Sequence, residues 1–343
     1  MSSAEQWIPY RYAESLDDPI SPPCPLVRGR VPVMRLLDQV VRAPAQTTAR
    51  NRLGAECTLT AVGAKADAIA ACKLRYILDD NVAAQCRDLV LTNSGLLDPK
   101  NKLLRMPGEL FWMEWPAETA DSSGRRSRMA VLVEASPCGR RGVLTSFAEN
   151  SSRLADMNVV GFEFDLDNLL IPPPEYRHMA QLRHGDFPHL DELFRHAVLT
   201  MDPTWLPFFQ SRGREGFERA FREIGESVWF DLPMALAFAV MLATDDVFDE
   251  RPTDFSRLNN ARRKRGLDLA LDHVEVRLKL GGHYASKGVP QKHSSLAART
   301  PARLHYVRGH VVTRRGTTFW RAPHLRGDHH TPMISKTVRV SSR

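Results

Sequence analysis

The sequence predicts an α+β protein with an N-terminal helical region, a central antiparallel sheet with helices, and a small basic β-module at the C-terminus. Apolar residues recur at helical spacing before residue 105, strand-like segments recur between 109 and 168, and a basic alternating stretch follows residue 300. The 343 residues, of which 43% are hydrophobic and 25% charged, suffice for about two globular domains.

Changes in composition divide the chain into five predicted regions. Prolines dominate the first of them, and a basic linker precedes the last. The regions are an extended arm (1–30), a helical region (31–105), a central α+β body (106–254), a basic connector with one strand (255–300) and a basic β-hairpin module (301–343).

Two apolar stripes and a proline predict the helical region. Pro32 suits the first turn of a helix that runs to Val41. A longer stripe consists of Leu59, Val62, Ala66, Ile69, Ala70, Leu74, Ile77 and Leu78. A second helix follows over 82–90, and Gly95 is its predicted C-terminal cap.

The central body is predicted from aromatic and alternating segments. Four antiparallel strands are expected at 109–116, 127–137, 139–147 and 157–168, with a turn at Pro137–Gly139. An exposed loop (121–128) and a proline-stiffened linker (171–176) interrupt the pattern, and helices return from about Arg212. The segment 232–244 is apolar on all sides and predicts a core helix. A polar connection over 245–267 and a strand over 273–282 follow it.

Cysteine usage and the apolar runs favour a cytoplasmic protein without a membrane partner. The five cysteines form no CxxC pair, and their odd number argues against a disulfide framework. The first residues contain no apolar segment of the kind a signal peptide needs, and no apolar run approaches 18 residues.

Charge is strongly polarised along the chain. Residues 256–343 contain 19 Lys+Arg against 4 Asp+Glu, a net +15, whereas the preceding 255 residues contain 28 against 36, a net −8. A basic segment joined to an acidic body is typical of proteins that bind nucleic acid or another polyanion. A solubilising tail, or a segment that docks on the acidic body, is the alternative.

The most basic stretch, 303–328, predicts a β-hairpin that binds RNA. Alternation places Tyr306, Arg308 and His310 on one face, and Arg315–Gly316 can form the turn. Either Phe319 or Trp320 shares that face, depending on the register. Arginine neutralises phosphate, and an aromatic ring stacks on an unpaired base. The predicted contact residues are Arg303, His305, Arg308, His310, Arg314, Arg315, Trp320, Arg321 and Arg326, with a second cluster at Arg262, Arg263, Lys264 and Arg265.

Several other interpretations of these residues stay open. Phe319 and Trp320 can form the core of a small sheet, with solvated arginines around it. His310 and His324 can act as base and acid in metal-independent RNA cleavage, with Arg308 stabilising the phosphorane. The histidine spacing fits no standard zinc site. Glu163, Asp165 and Asp167, on one strand face, offer oxygen ligands for a divalent cation.

No motif for a cofactor or a known catalytic class is present. The sequence lacks a P-loop, a dinucleotide-binding fingerprint, a GxSxG motif and an HExxH motif. We therefore expect no cofactor and no metal, and lean towards a protein that is not an enzyme.

The C-terminal stretch resembles a phage and mobile-element family of anti-CRISPR proteins directed against type V-A systems. The residues that carry the resemblance are His305, Arg308, Gly309, His310, Trp320 and Pro323. Weaker similarity covers the aromatic strand at 106–116 and the apolar helix at 232–246. The resemblance implies a regulator that acts in the bacterial host cytosol on production of the CRISPR effector.

These inferences predict a regulator from a phage or prophage that lowers expression of a host defence effector. Its acidic body would recognise a host defence protein or a nascent peptide, and its basic module would contact RNA, as messenger or near the ribosome. A metal-independent ribonuclease, or a DNA-contacting structural protein of a mobile element, is the alternative.

Overall fold

The computed structural model describes thirteen ranges of the chain. They are residues 64–65, 67–92, 94–120, 126–149, 155–172, 190–207, 213–245, 247–267, 269–279, 305–307, 310–314, 317–321 and 324–326. Within these ranges the protein is α+β, as predicted, with helices and a mixed β-sheet.

The secondary structure elements have the following bounds. The helices are α1 (Asp80–Thr92), α2 (Asp191–Phe194), α3 (Arg214–Val228), α4 (Asp231–Leu242) and α5 (Ser256–Lys264). The strands are β1 (Leu74–Leu78), β2 (Leu110–Ala120), β3 (Arg126–Ala135), β4 (Arg141–Glu149), β5 (Ala155–Met157), β6 (Val160–Asp165), β7 (Ala197–Met201), β8 (Phe248–Thr253), β9 (His273–Leu278), β10 (His305–Val307), β11 (His310–Arg314), β12 (Thr317–Arg321) and β13 (His324–Arg326).

Nine of these strands form one mixed sheet. Eight lie side by side in the order β7-β6-β4-β3-β2-β1-β9-β8, and β5 pairs with β4 off this path. The strands from β2 to β7 pair antiparallel, whereas β1 is parallel to both β2 and β9. The described residues fall into two compact units, one within Met1–Ala243 and Glu250–Arg277 and the other within Thr244–Asp249 and Leu278–Arg343.

Strand β1 occupies a segment for which a helix was predicted. The helical stripe through Leu74, Ile77 and Leu78 is wrong at these positions, although residues 67–71 before them are helical. β1 lies between two parallel neighbours, and Tyr76, Ile77 and Leu78 are all buried. A strand that is buried on both faces is a continuous apolar run, so its periodicity does not distinguish it from a buried helix.

Helix α1 connects the parallel strands β1 and β2. Parallel neighbours need such a crossover, because a tight turn can join only antiparallel strands. The predicted helix over 82–90 is confirmed, with Val82, Cys86 and Val90 buried. Gly95, however, lies in a short 3₁₀ turn after the helix and has no positive φ, so its predicted role as the helix cap is wrong.

The antiparallel half of the sheet agrees closely with the strands predicted from the sequence. The four strands expected between residues 109 and 168 are confirmed as β2, β3, β4 and β6. Strand β7, at the edge beside β6, was not predicted. Four of its five residues are buried, so the alternation that identifies a half-exposed strand is missing.

The turn expected at Pro137–Gly139 is present between β3 and β4. The Gly139 N–H donates a hydrogen bond to the Ser136 carbonyl oxygen, with the two atoms 2.8 Å apart. Gly139 has a φ of 71°, which residues with a side chain rarely adopt. A Cβ atom at this position would lie 2.4 Å from the Met106 carbonyl oxygen.

Gly139→Ala is therefore expected to lower the free energy of unfolding by about 1–3 kcal/mol. Urea unfolding followed by circular dichroism measures this change. Gly95→Ala is the matched control, because Gly95 has an ordinary φ and no atom lies within 4 Å of a Cβ placed there. Equal unfolding midpoints for the two variants would contradict the prediction.

Helix α4 forms the centre of the core, as its all-round apolar sequence predicts. Every residue from Asp231 to Met241 is buried. The Phe238 ring stacks on Phe111 with centroids 6.2 Å apart and meets Tyr76 edge-on at 5.3 Å. By length and composition the stretch Arg214–Leu242 could span a membrane, but 78% of its most apolar window is buried within the protein.

The segment predicted as a polar connection contains two regular elements. Strand β8 is an edge strand of the large sheet, and α5 follows it directly. The strand predicted over 273–282 is confirmed as β9, and it pairs parallel with β1. Several predicted features lie outside the described residues: the arm, the helix that starts at Pro32, the start of the longer stripe (Leu59, Val62 and Ala66), most of the loop at 121–128 and of the linker at 171–176, and the linker before residue 300.

Candidate nucleic-acid interface

The C-terminal module contains two antiparallel ladders. β11 pairs with β12, and this pair closes with Arg314 opposite Thr317. β10 pairs with β13, with Tyr306 opposite Leu325. Both ladders have the same register, as the two halves of one hairpin would. The predicted turn, Arg315–Gly316, falls between the paired strands β11 and β12 and lies outside the described residues.

This register decides which aromatic residue shares a face with His310. Residues directly opposite each other in a ladder lie on the same face, and alternate residues of a strand share it. His310 is opposite Arg321, and Val312 is opposite Phe319. Phe319 therefore lies on the face of His310 and Arg321, and Trp320 lies on the other face.

The two aromatic residues differ sharply in exposure. Phe319 is 38% exposed, whereas Trp320 is 9% exposed. The Nε1–H group of Trp320 has no hydrogen-bond partner among the described residues. Phe319, which was not among the predicted contact residues, thus presents its ring to solvent, while the predicted residue Trp320 is packed. Alternation alone gave no way to choose between them.

The remaining predicted contact residues of the module, and His324 from the alternative RNA-cleavage interpretation, are described to different extents. His305, His310, Arg314, Arg321, His324 and Arg326 belong to strands β10 to β13, and Arg321 is exposed. Arg303, Arg308 and Arg315 lie outside the described residues. Of the residues proposed for RNA cleavage, His310 lies in β11 and His324 in β13, which belong to different ladders.

The second predicted cluster closes helix α5. Arg262, Arg263 and Lys264 form its last turn, and Arg265 is its C-terminal cap residue. No residue of α5 is buried, and the helix contains no acidic residue. A helix that buries nothing contributes little to the core, and its exposed side chains, such as Arg257 and Lys264, face solvent.

Backbone and side-chain hydrogen bonds hold α5 in its N-terminal half and at its C-terminal end. The side chain of Asn259 accepts a hydrogen bond from the Ala270 N–H and donates one to its carbonyl oxygen, each at 2.8 Å. At the other end Gly266 has a φ of 64°, and the Leu267 N–H reaches back to the Arg262 carbonyl oxygen at 3.0 Å. This is a Schellman cap, which ends a helix sharply.

Two of the three acidic residues proposed for a cation, Asp165 and Asp167, are engaged in other contacts, and the third, Glu163, is exposed. The Asp165 carboxylate accepts the N–H groups of Asp167 and Asn168 at 3.0 and 3.1 Å. Burial raises the pKa of Asp165, but the hydrogen bond from the Asn168 side chain, at 2.9 Å, and these two backbone bonds outweigh it, so the pKa lies below its ordinary value. Asp167 pairs with Arg140, whose Nε lies 2.7 Å from Oδ1. No group of three or more potential metal ligands occurs among the described residues.

The three described cysteines are free thiols in contrasting surroundings. Cys72 and Cys86 are buried, and burial raises the pKa of both. Cys138 is exposed, and the Ser136 hydroxyl, 3.1 Å from its sulfur, lowers its pKa. Of these three thiols, Cys138 is therefore the one that can react with a reagent in solvent.

Comparisons with known proteins add no assignment to this geometry. No family model, no curated protein and no solved structure matches the chain.

Proposed function

We propose that this protein is an RNA-binding regulator rather than an enzyme, and that it holds single-stranded RNA on the hairpin face of Phe319 and Arg321. The observation that carries this proposal is the exposed ring of Phe319 two residues from an exposed arginine on the same face. An exposed aromatic ring stacks on an unpaired base, and a neighbouring guanidinium neutralises the phosphate beside it.

The polarised charge of the chain supports the same assignment. A C-terminal quarter with a net +15 attracts a polyanion from a distance, and the attraction weakens as salt screens it. The preceding 255 residues, with a net −8, repel nucleic acid and suit a protein partner. In this proposal the acidic body recognises a host defence protein or a nascent peptide, and the bound RNA is its messenger or lies near the ribosome.

The resemblance of the C-terminal stretch to anti-CRISPR proteins is the basis for the biological role that we propose. We take the protein to be an anti-CRISPR-like regulator from a phage or prophage that lowers expression of a host defence effector in the bacterial cytosol. Binding of the message together with the emerging peptide would give selectivity that neither contact supplies alone, because linked sites raise the effective concentration of the second contact.

Phe319→Ala is expected to weaken binding of a single-stranded oligouridine about tenfold, because one base–aromatic stack contributes roughly 1–3 kcal/mol. Fluorescence anisotropy at two salt concentrations measures the affinity. Phe319→Trp should preserve the affinity and Phe319→Leu should lose it, since stacking needs the aromatic plane rather than apolar volume.

Leu169→Ala is the matched control, because it removes another exposed apolar side chain, 54% exposed, far along the sequence from the module. RNA recovered after incubation with and without EDTA should remain intact. Equal affinities for the Phe319→Ala and Leu169→Ala variants, or an affinity that does not change with salt, would count against the proposal.

A further inference from the structure

One face of helix α5 carries a row of polar and cationic side chains. Arg257, Asn260 and Lys264 are spaced by three and four residues, so they lie on the same side of the helix, and all three are exposed. The opposite side carries Asn259 and Arg262, which are the two partly buried residues of the helix. The outward face therefore presents two cations about 10 Å apart, from the helical rise of 1.5 Å per residue.

These cations are not neutralised within the described part of the chain. No ion pair joins Arg257 or Lys264 to a described carboxylate, and the Arg263 Nη1 atom binds the Asn260 amide oxygen at 2.9 Å. The nearest acids that the structure describes before and after the helix have local partners. Asp254 binds the backbone and hydroxyl of Ser256 at 2.7 and 3.0 Å, and Asp272 accepts the N–H of residue 255 at 2.9 Å.

Helix stability explains only part of this charge pattern. Cations in the last turn, such as Lys264, interact favourably with the negative end of the helix dipole. Arg257 lies in the first turn, where the dipole disfavours a cation, and no acidic residue accompanies it there. Helix stability therefore does not account for Arg257, which is exposed and can contact a partner.

We propose that the outward face of α5 binds the phosphate backbone of a double-stranded nucleic acid. This rests on the proposed function, because it adds a duplex segment to the same RNA. The face carries cations and an amide but no aromatic residue, so it suits phosphates rather than unpaired bases. Hydrogen bonds from Asn259 to Ala270 and the C-terminal cap hold the helix in place, so it can present its cations to a duplex backbone without the cost of ordering a loop.

The substrate class that follows for α5, in the first unit, is paired RNA, whereas the face of Phe319, in the second unit, is proposed for unpaired bases. Each contact can be removed separately, because Arg257 and Lys264 belong to one unit and Phe319 to the other.

The test compares the double variant Arg257→Gln/Lys264→Gln with the wild type on a blunt RNA duplex of about 16 base pairs and on oligouridine. Duplex affinity is expected to fall about tenfold, and the slope of log affinity against log salt to fall by about two, one for each phosphate that is no longer neutralised. Oligouridine affinity should change less than twofold. Lys102→Gln/Arg105→Gln is the control, because it removes the same charge from two other exposed residues.

Three outcomes would overturn the proposal: duplex binding and salt slope equal to those of the control, an equal decrease on oligouridine and on duplex, or binding of polyglutamate that the α5 variant abolishes. The last would make α5 a site for an acidic protein. Thermal unfolding separates a folding defect from weaker RNA binding. Removal of Arg257 relieves an unfavourable contact with the helix dipole and removal of Lys264 loses a favourable one, so the midpoint of the double variant should change little. The oligouridine affinity of Phe319→Ala, measured in the same assay, tests the single-strand site independently.

Discussion

Arg128→Ala is expected to lower the free energy of unfolding by about 3–5 kcal/mol, because it removes a cation that pairs with a buried carboxylate. The Arg128 Nε atom lies 2.5 Å from Oε1 of Glu114, and the Glu114 side chain has no exposed surface. Both residues lie on adjacent strands of the large sheet, β2 and β3. Urea unfolding of the purified variant measures the decrease.

The matched control is Arg214→Ala, which breaks an ion pair of similar length on the surface of α3. Its Nε atom lies 2.7 Å from Oε1 of Glu218, but the arginine side chain is 81% exposed, so water already solvates it. The double variant Glu114→Met/Arg128→Met removes both charges together and should recover most of the stability that Arg128→Ala removes. If Arg128→Ala unfolds at the same urea concentration as Arg214→Ala, the ion pair does not support the sheet.

Phe238→Ala is expected to cost a similar amount, about 3–5 kcal/mol, because it opens a cavity at the contact between α4 and the sheet. The Phe238 ring is fully buried and stacks on Phe111 with an angle of 7° between the rings. It also meets Tyr76, whose pKa burial raises to about 12. Truncation of the ring removes both aromatic contacts at once.

Phe238→Leu keeps most of the volume and should cost less than about 1.5 kcal/mol. A second readout is the ionisation of Tyr76, followed by its absorbance at alkaline pH. The ring of Phe238 helps to bury Tyr76, so Phe238→Ala should bring the tyrosine pKa down towards its ordinary value. An unchanged titration and an unchanged unfolding midpoint would show that α4 packs elsewhere.

Local periodicity predicted the type of an element correctly where that element has one buried and one exposed face, or is apolar on all sides. The strands β2, β3, β4 and β6 and the helices α1 and α4 were predicted for this reason. It failed for β1 and β7, whose residues are mostly buried on both faces, and for β8 and α5, which have little buried surface. Apolar runs and polar runs without alternation carry no period that distinguishes strand, helix and loop.

The candidate interface was predictable in composition but not in geometry. The basic cluster at 262–265 is evident in the sequence as four consecutive basic residues. Arg257 and Asn260 lie on a common face with Lys264 of this cluster only because the segment is an exposed helix. Likewise the sequence offered both Phe319 and Trp320, and the pairing of β11 with β12 selects Phe319. One residue of slip in that register would exchange the two faces.

The amino-acid sequence alone determined the α+β class, the antiparallel strands, the core helix and the basic C-terminal quarter. Each of these features follows from composition or from the spacing of apolar residues within one segment. Only the tertiary structure decided that β1 lies between β2 and β9, that α5 is exposed, and that Phe319 rather than Trp320 faces solvent. These features depend on hydrogen bonds and packing between residues that are distant in sequence, such as Tyr76 and Val274. The spacing of residues within one segment cannot predict such contacts.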